Sequence, residues 1–198
     1  QKGCDNKCTF CIVPATRGPE VPRPSAQILD EVRRLVSKGV VEITLIGQNV
    51  NSYGLKVAGE RTFAQLLYAV ADVPGVERIR YTTSHPRDMG ADVVQAYRDL
   101  PQLTSHLHLP VQSGSSLILK RMKRFYTRER YLDLVDRLRD ARPDIVLSTD
   151  FIVGFPGETD ADFEETMTLL DAVRFHASYS FKYSRRPDTP ALLSLIHI

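Results

Sequence analysis

Cys4, Cys8 and Cys11 are the residues whose type and spacing point most directly to chemistry. They form a C-x3-C-x2-C pattern, CDNKCTFC, and they are all 3 cysteines of the chain. Thiolates are soft ligands that suit iron–sulfur clusters and zinc. Structural zinc usually takes four protein ligands, often as two close pairs. The spacing here differs both from the ferredoxin run and from zinc knuckles. Three thiolates on a cubane [4Fe-4S] cluster leave one iron without a protein ligand, open to a small molecule. Two other readings stand beside this one: zinc with a distant histidine as fourth ligand, and three buried structural thiols. An odd, clustered set of cysteines makes a poor disulfide framework. Reduced thiols point to a cytoplasmic compartment.

The elements that must position such a loop are legible in the hydrophobic pattern. Ser25 to Lys38 reads as a helix with Ser25 as N-cap and Gly39 as stop. Val41 to Ile46 reads as a buried strand. The unit repeats: a helix from Thr62 through Ala71, a strand from Arg78 to Thr83, a helix from Ala91 to Leu100, and a strand from Leu107 to Val111. Leu117 to Lys123 and Arg128 to Arg142 are helical, Ile145 to Val153 is a strand, Thr159 caps a helix through Val173, and Ser178 to Tyr183 is a last strand. This alternation implies right-handed βαβ units and a parallel sheet. Each strand runs into a polar or glycine-rich loop: Gly47-Gln48-Asn49, His85-Pro86, Gln112-Ser113-Gly114, and Gly154 to Glu158. In parallel barrels, ligands bind at the carboxyl ends of the strands, so these loops would meet the cysteine loop on one face.

The bulk properties narrow the class. With 198 residues the chain can bury a real core. No apolar run is long enough to span a bilayer, and the formal charge of +2 neither demands nor excludes a nucleic-acid partner. The chain opens on Gln1-Lys2-Gly3 rather than on methionine, and is expected to be an internal piece of a longer protein whose first barrel strand is mostly missing. Ser194 to Ile198 fits no expected continuation, and residues 192–198 are set aside as a non-native-looking tail.

With Phe10 just before the last cysteine, the loop resembles the radical S-adenosylmethionine (SAM) signature. From Gly3 to about Ala191 the chain is similar to the radical SAM methylthiotransferases, and within them to the tRNA type. Stretches that carry this are Val13 to Gly18, Leu45 to Asn51, Tyr81 to Pro86, His108 to Ser115 and Asp150 to Glu158 (DFIVGFPGE). Asp188, where glycine is usual in that family, departs from the pattern. The resemblance implies an α/β fold, a partial TIM-type (β/α)6 barrel, over residues 1–191. It also implies the reaction: addition of a methylthio group at C2 of N6-isopentenyladenosine next to the tRNA anticodon, in the cytoplasm. Alternatives are methylthiolation of threonylcarbamoyl-adenosine in tRNA or of a ribosomal protein, and, in a different class, a non-catalytic metal-binding module.

In that family the open iron of a [4Fe-4S] cluster chelates SAM, and reduction breaks a carbon–sulfur bond to give methionine and a 5′-deoxyadenosyl radical. The resemblance places Phe10 near the adenine and Gln48 near the SAM amino end. It places Gln112 and Ser113 on the ribose or methionyl part, and Ile152 and Gly154 where the backbone approaches the adenine. No catalytic residue is assigned, and His85 and His108 are read as structural. The family's N-terminal domain, with a second [4Fe-4S] cluster, and its C-terminal TRAM domain are expected only in a full-length protein. An electron donor such as a flavodoxin is implied, and a monomer is expected. Lys120, Arg121, Lys123, Arg124, Arg128 and Arg130, with Phe125 and Tyr126 among them, form a candidate RNA-contacting patch, and Arg185 and Arg186 a second one.

Overall fold

A computed structural model describes residues 1–193 of the chain. Ser194 to Ile198 lie outside the described residues, so the tail expected over residues 192–198 is described only in its first two positions. The order is α1 (Val13–Arg17), α2 (Ser25–Val36), β1 (Glu42–Leu45), α3 (Phe63–Ala71), β2 (Arg78–Tyr81), α4 (Ala91–Asp99) and β3 (His106–His108). It continues with α5 (Ser116–Arg121), α6 (Arg128–Ala141), β4 (Val146–Val153), α7 (Asp160–Val173), β5 (Ala177–Lys182) and α8 (Pro190–Leu193). The strand–helix alternation expected from the sequence is therefore present, and every strand pairing is parallel. Among the described residues no helix is long and apolar enough to cross a membrane.

The sheet differs from expectation in continuity. It comes as two pieces, β1-β2 and β3-β4-β5. A parallel bridge between Ile79 and Leu103 joins them, with Ile79 N donating to Gln102 O at 2.8 Å and Thr104 N to Ile79 O at 3.1 Å. The third strand is also shorter than expected, His106–His108 rather than Leu107 to Val111. Pro110 explains this: proline has no N–H to give the ladder. The chain rejoins β4 beyond it through a bridge between Gln112 and Phe151.

The helices cover the outer face. Leu67, Val70, Ile79, Leu103, Leu107, Leu109 and Leu138 are buried in one core cluster; each such side chain stabilises the fold by ~1.5–3 kcal/mol relative to exposure. Thr62 closes a capping box with Gln65, and Thr159 one with Asp162. Ser25 is not the N-cap expected of it. Pro24 takes that position, the Ser25 N–H donates to Glu60 Oε2 at 3.1 Å, and the Ser25 hydroxyl accepts from Arg61 at 2.9 Å. A carboxylate brought from 35 residues away caps this helix because Pro24 and Ser25 are already committed elsewhere. Arg142, just past α6, donates to Tyr97 O and Leu100 O, each at 2.7 Å, and so fastens the end of α4.

Candidate functional site

The cysteine loop lies across the carboxyl ends of the strands. Its start folds back on the segment after α1, with Cys4 N donating to Gly18 O at 3.2 Å. Gly3 is required there: φ is +71°, and a Cβ would stand 2.0 Å from Pro19 O. Cys11 N donates to Cys8 O at 3.1 Å, turning the loop between the second and third thiols. Thr9 anchors it to the end of α5, its N–H donating to Met122 O at 3.1 Å and its hydroxyl to Arg121 O at 2.9 Å. Ala191 N donates to Thr9 O at 2.9 Å. On the other side, Arg87 donates to Asn6 Oδ1 at 2.6 Å.

Cys8 is buried, and Cys4 and Cys11 are half-buried. Burial pushes the thiols of Cys4 and Cys11 up, and the neighbouring cysteines add to both shifts. Binding a metal or cluster there would release the thiol protons. All three donors are thiolates, the soft ligand type of iron–sulfur clusters, and they are one short of the four protein ligands that structural zinc usually takes. The donor set fits a [4Fe-4S] cluster with one iron left open better than structural zinc.

The sequence did not single out Arg124 as part of this site. The sequence places it in the candidate RNA-contacting patch, yet it is 5% exposed and donates to Cys8 Sγ at 3.5 Å, to Tyr126 Oη at 3.0 Å and to Pro110 O at 2.9 Å. Burial works against its charge, but Tyr126 and Cys8 more than offset this and raise its pKa. Tyr126 turns inward too, donating to Val111 O at 2.8 Å. Arg128 spends its guanidinium on the carbonyls of Gly114 and Glu165. Burial alternates here, with Met122, Arg124 and Tyr126 inside and Lys123 and Phe125 outside, but the residue types do not, so no local signal marked Arg124.

His85 is buried as expected of a structural histidine, and its ring meets Tyr126 edge-on at 5.7 Å. Its Nδ1 accepts from Arg87 N at 3.2 Å, while Nε2 is buried without a partner. Burial, with Arg124 and Arg87 nearby, pushes its pKa down to about 2, so the ring stays neutral.

The strand ends carry backbone strain. Thr83 has φ +68° and Gln112 φ +78°, although neither is glycine. Such conformations cost about 1–3 kcal/mol each and collect at functional sites. Gly154, with φ +69°, has open space where a Cβ would lie, so glycine serves the conformation there rather than the packing. Glu158 closes this turn, its carboxylate accepting from Gly154 N and Phe155 N. Asp188, the departure noted in the sequence, has φ +59°, the left-handed conformation that glycine would take for free.

Two of the residues assigned from the resemblance share one apolar cluster beside the cysteine loop. Phe10 and Ile152 pack against the same apolar cluster, which contains Ile118, Met122, Phe155 and Ala191. A cavity of about 460 Å³ lies beside it, lined by Thr9, Phe155 and Gly157 among others. Gln112 and Ile152 are joined across the bridge, Ile152 N donating to Gln112 O at 2.8 Å. Ser113 is fully buried and its hydroxyl accepts from Ser115 N at 3.1 Å, which shapes the turn. Gln48 stands apart, lining a cavity of about 400 Å³ with Gly3, Arg17 and Thr83 at the ends of β1 and β2.

The pattern of the radical SAM superfamily matches residues 1–170. The chain is 60% identical over 193 residues to a tRNA-2-methylthio-N(6)-dimethylallyladenosine synthase of Roseobacter denitrificans, covering 96% of this chain and 44% of that protein. It is 58% identical over 192 residues to the protein of that name from Agrobacterium fabrum, covering 96% and 42%. The chain therefore spans less than half the length of these curated relatives. Among solved structures, a coproporphyrinogen III oxidase of Escherichia coli, described as a radical SAM enzyme, superposes with a TM-score of 0.67 at 18% identity, covering 98% of this chain and 45% of that one. SuiB of Streptococcus suis, solved with S-adenosylmethionine bound, gives 0.61 at 14%, covering 96% and 40%. At such identities the likeness shows the fold, a partial radical SAM barrel. With that fold shared and the pattern matched over most of its length, the chain belongs to the radical SAM superfamily.

Proposed function

We propose that residues 1–191 are the SAM-cleaving core of a tRNA methylthiotransferase that acts at C2 of N6-isopentenyladenosine. The observation that carries this is the identity of 58–60% with synthases of that name across nearly the whole chain. Cys4, Cys8 and Cys11 would hold a [4Fe-4S] cluster. When bound and reduced, such a cluster supplies the electron that cleaves a carbon–sulfur bond of SAM. Arg124 holds a fixed positive charge beside Cys8 and ties it to Pro110, at the end of the third strand. Phe10, Ile152 and the open turn at Gly154 offer an apolar wall for the adenine, and Gln112 and Gln48 offer amides for the polar parts of SAM. Arg87 positions the loop through Asn6. Sulfur handling by a second cluster, and part of the tRNA contact, would fall to portions of a full-length protein beyond this sequence. An electron-donor protein such as a flavodoxin completes the proposal.

Anaerobic reconstitution with iron and sulfide tests the core. The expected product is a four-iron cluster whose reduced EPR spectrum changes on adding SAM, with 5′-deoxyadenosine formed under dithionite. Cys8→Ala should lose the cluster. Zinc-loaded protein without a SAM response would refute the enzyme reading. For the substrate, the full-length protein is offered isopentenyladenosine-containing tRNA and the ribosomal protein side by side. Methylthiolation of the ribosomal protein alone would refute the tRNA assignment.

A further inference from the structure

We propose that Phe125 is a stacking platform for a base of single-stranded RNA, set beside the cysteine loop. The proposal rests on the tRNA reading above and names the residue that would take the base.

Phe125 is 60% exposed and belongs to neither apolar cluster. Its φ is +60°, and that of Lys123, two residues earlier, is +55°. A bulky L residue adopts this conformation only at a cost, and glycine would make the same turn without one. Burial cannot repay that strain, because the ring is in solvent. What the conformation does achieve is placement. The Arg87 guanidinium lies 5.8 Å from the ring centroid. The same guanidinium bonds Asn6 of the cysteine loop at 2.6 Å and pairs with Asp88 at 2.8 Å, so the ring is held against a fixed plane next to the candidate cluster site.

The surroundings select the partner. Lys7 on the cysteine loop, and Lys120, Lys123 and Arg130 within five residues of Phe125 along the chain, are all exposed. A solvent-facing aromatic backed by a guanidinium and fringed with cations matches a nucleobase flanked by phosphates. Only a splayed, unpaired base presents its π-face to such a ring, so the partner is a single-stranded loop rather than a duplex. The strained loop at 123–125 thus presents a ring to a base and a lysine to its phosphate from positions two residues apart.

The experiment is binding of a fluorescent anticodon stem-loop RNA to the full-length protein by anisotropy, with thermal midpoints measured in parallel. Base–aromatic stacking is worth about 1–3 kcal/mol, so Phe125→Gly should weaken binding roughly 5- to 150-fold. Glycine suits the backbone, so the thermal midpoint should not fall. Phe125→Tyr should bind like the parent. Lys123→Gln should lower the salt dependence of binding by about one phosphate contact, a slope Phe125→Gly leaves unchanged. Parent-like affinity of Phe125→Gly, or failure of Phe125→Tyr to bind, overturns the proposal. A parent protein that modifies tRNA while Phe125→Gly binds normally removes only the platform. A parent that neither binds nor modifies tRNA removes the proposed function, and the platform with it.

Discussion

Replacing Arg124 with glutamine should unfold the chain at a distinctly lower temperature, and the structure sets the size of the effect. The side chain is buried and donates to Pro110 O at 2.9 Å and to Tyr126 Oη at 3.0 Å, besides its contact with Cys8 Sγ. Hydrogen bonds from a charged donor contribute about 1.5–3 kcal/mol each. Glutamine can recover one of the two bonds to oxygen, and it cannot reproduce the guanidinium stacked over the Tyr126 ring at 5.5 Å. A net loss of about 2–4 kcal/mol follows, once the relief of an unfavourably buried charge is set against the lost bonds. For a chain of this size that lowers the midpoint by roughly 4–16 °C. Arg124→Lys keeps the charge but not the fork, and should fall between the two. The assay is thermal unfolding by circular dichroism of metal-free protein under anaerobic, reducing conditions. An Arg124→Gln protein that melts with the parent would refute the claim that this guanidinium holds the cysteine loop to the third strand.

Two further perturbations probe the frame around the site. A Cβ on Gly114 would stand 2.4 Å from both Glu165 O and Thr166 Cα, backbone atoms that cannot rotate away. Gly114→Ala should therefore cost about 1–3 kcal/mol and displace the Gln112–Ser113 turn, seen as a lower denaturant midpoint together with weaker SAM binding; an unchanged midpoint would show that α7 can shift freely. His85, neutral when folded because its pKa sits near 2, takes up a proton only on unfolding as pH falls below 6.5. Stability should decline through that window by up to ~1.4 kcal/mol per pH unit. His85→Gln should flatten the acid limb of a stability–pH curve between about pH 6.5 and 4, and an equally steep limb in the variant would assign the acid sensitivity to other groups.

The hydrophobic periodicity located nearly every strand and helix, because each element buries a regular stripe. Thr62 and Thr159 announced their helices as caps. The cysteine spacing announced the ligand set, since three thiols in eight residues have few structural uses. Long-range partnerships were not legible. Ser25 looked like a cap because nothing local reveals that Glu60 would take that role. The early end of β3 follows from where Pro110 falls in a ladder whose register only the fold defines. Arg124 was misplaced because a cationic run reads as surface, and only its distant partner Cys8 explains why one member turns in. The strain at Thr83 and Gln112 carries no sequence mark at all, since neither residue type prefers that conformation.

The backbone ladder of the two sheets is joined through the Ile79–Leu103 bridge, with a single core beneath, and the cysteine loop crosses above that junction. Asn6 is bonded to Arg87 beyond β2, while Thr9 is bonded to Arg121 and Met122 at the end of α5. The loop is therefore a strap over the junction of the two sheets, tied to one at Asn6 and to the other at Thr9. The strap is already fastened by the loop's own hydrogen bonds, so the three thiols are held in place before anything binds them, and a substitution at Asn6 or Thr9 would disturb them without touching a sulfur.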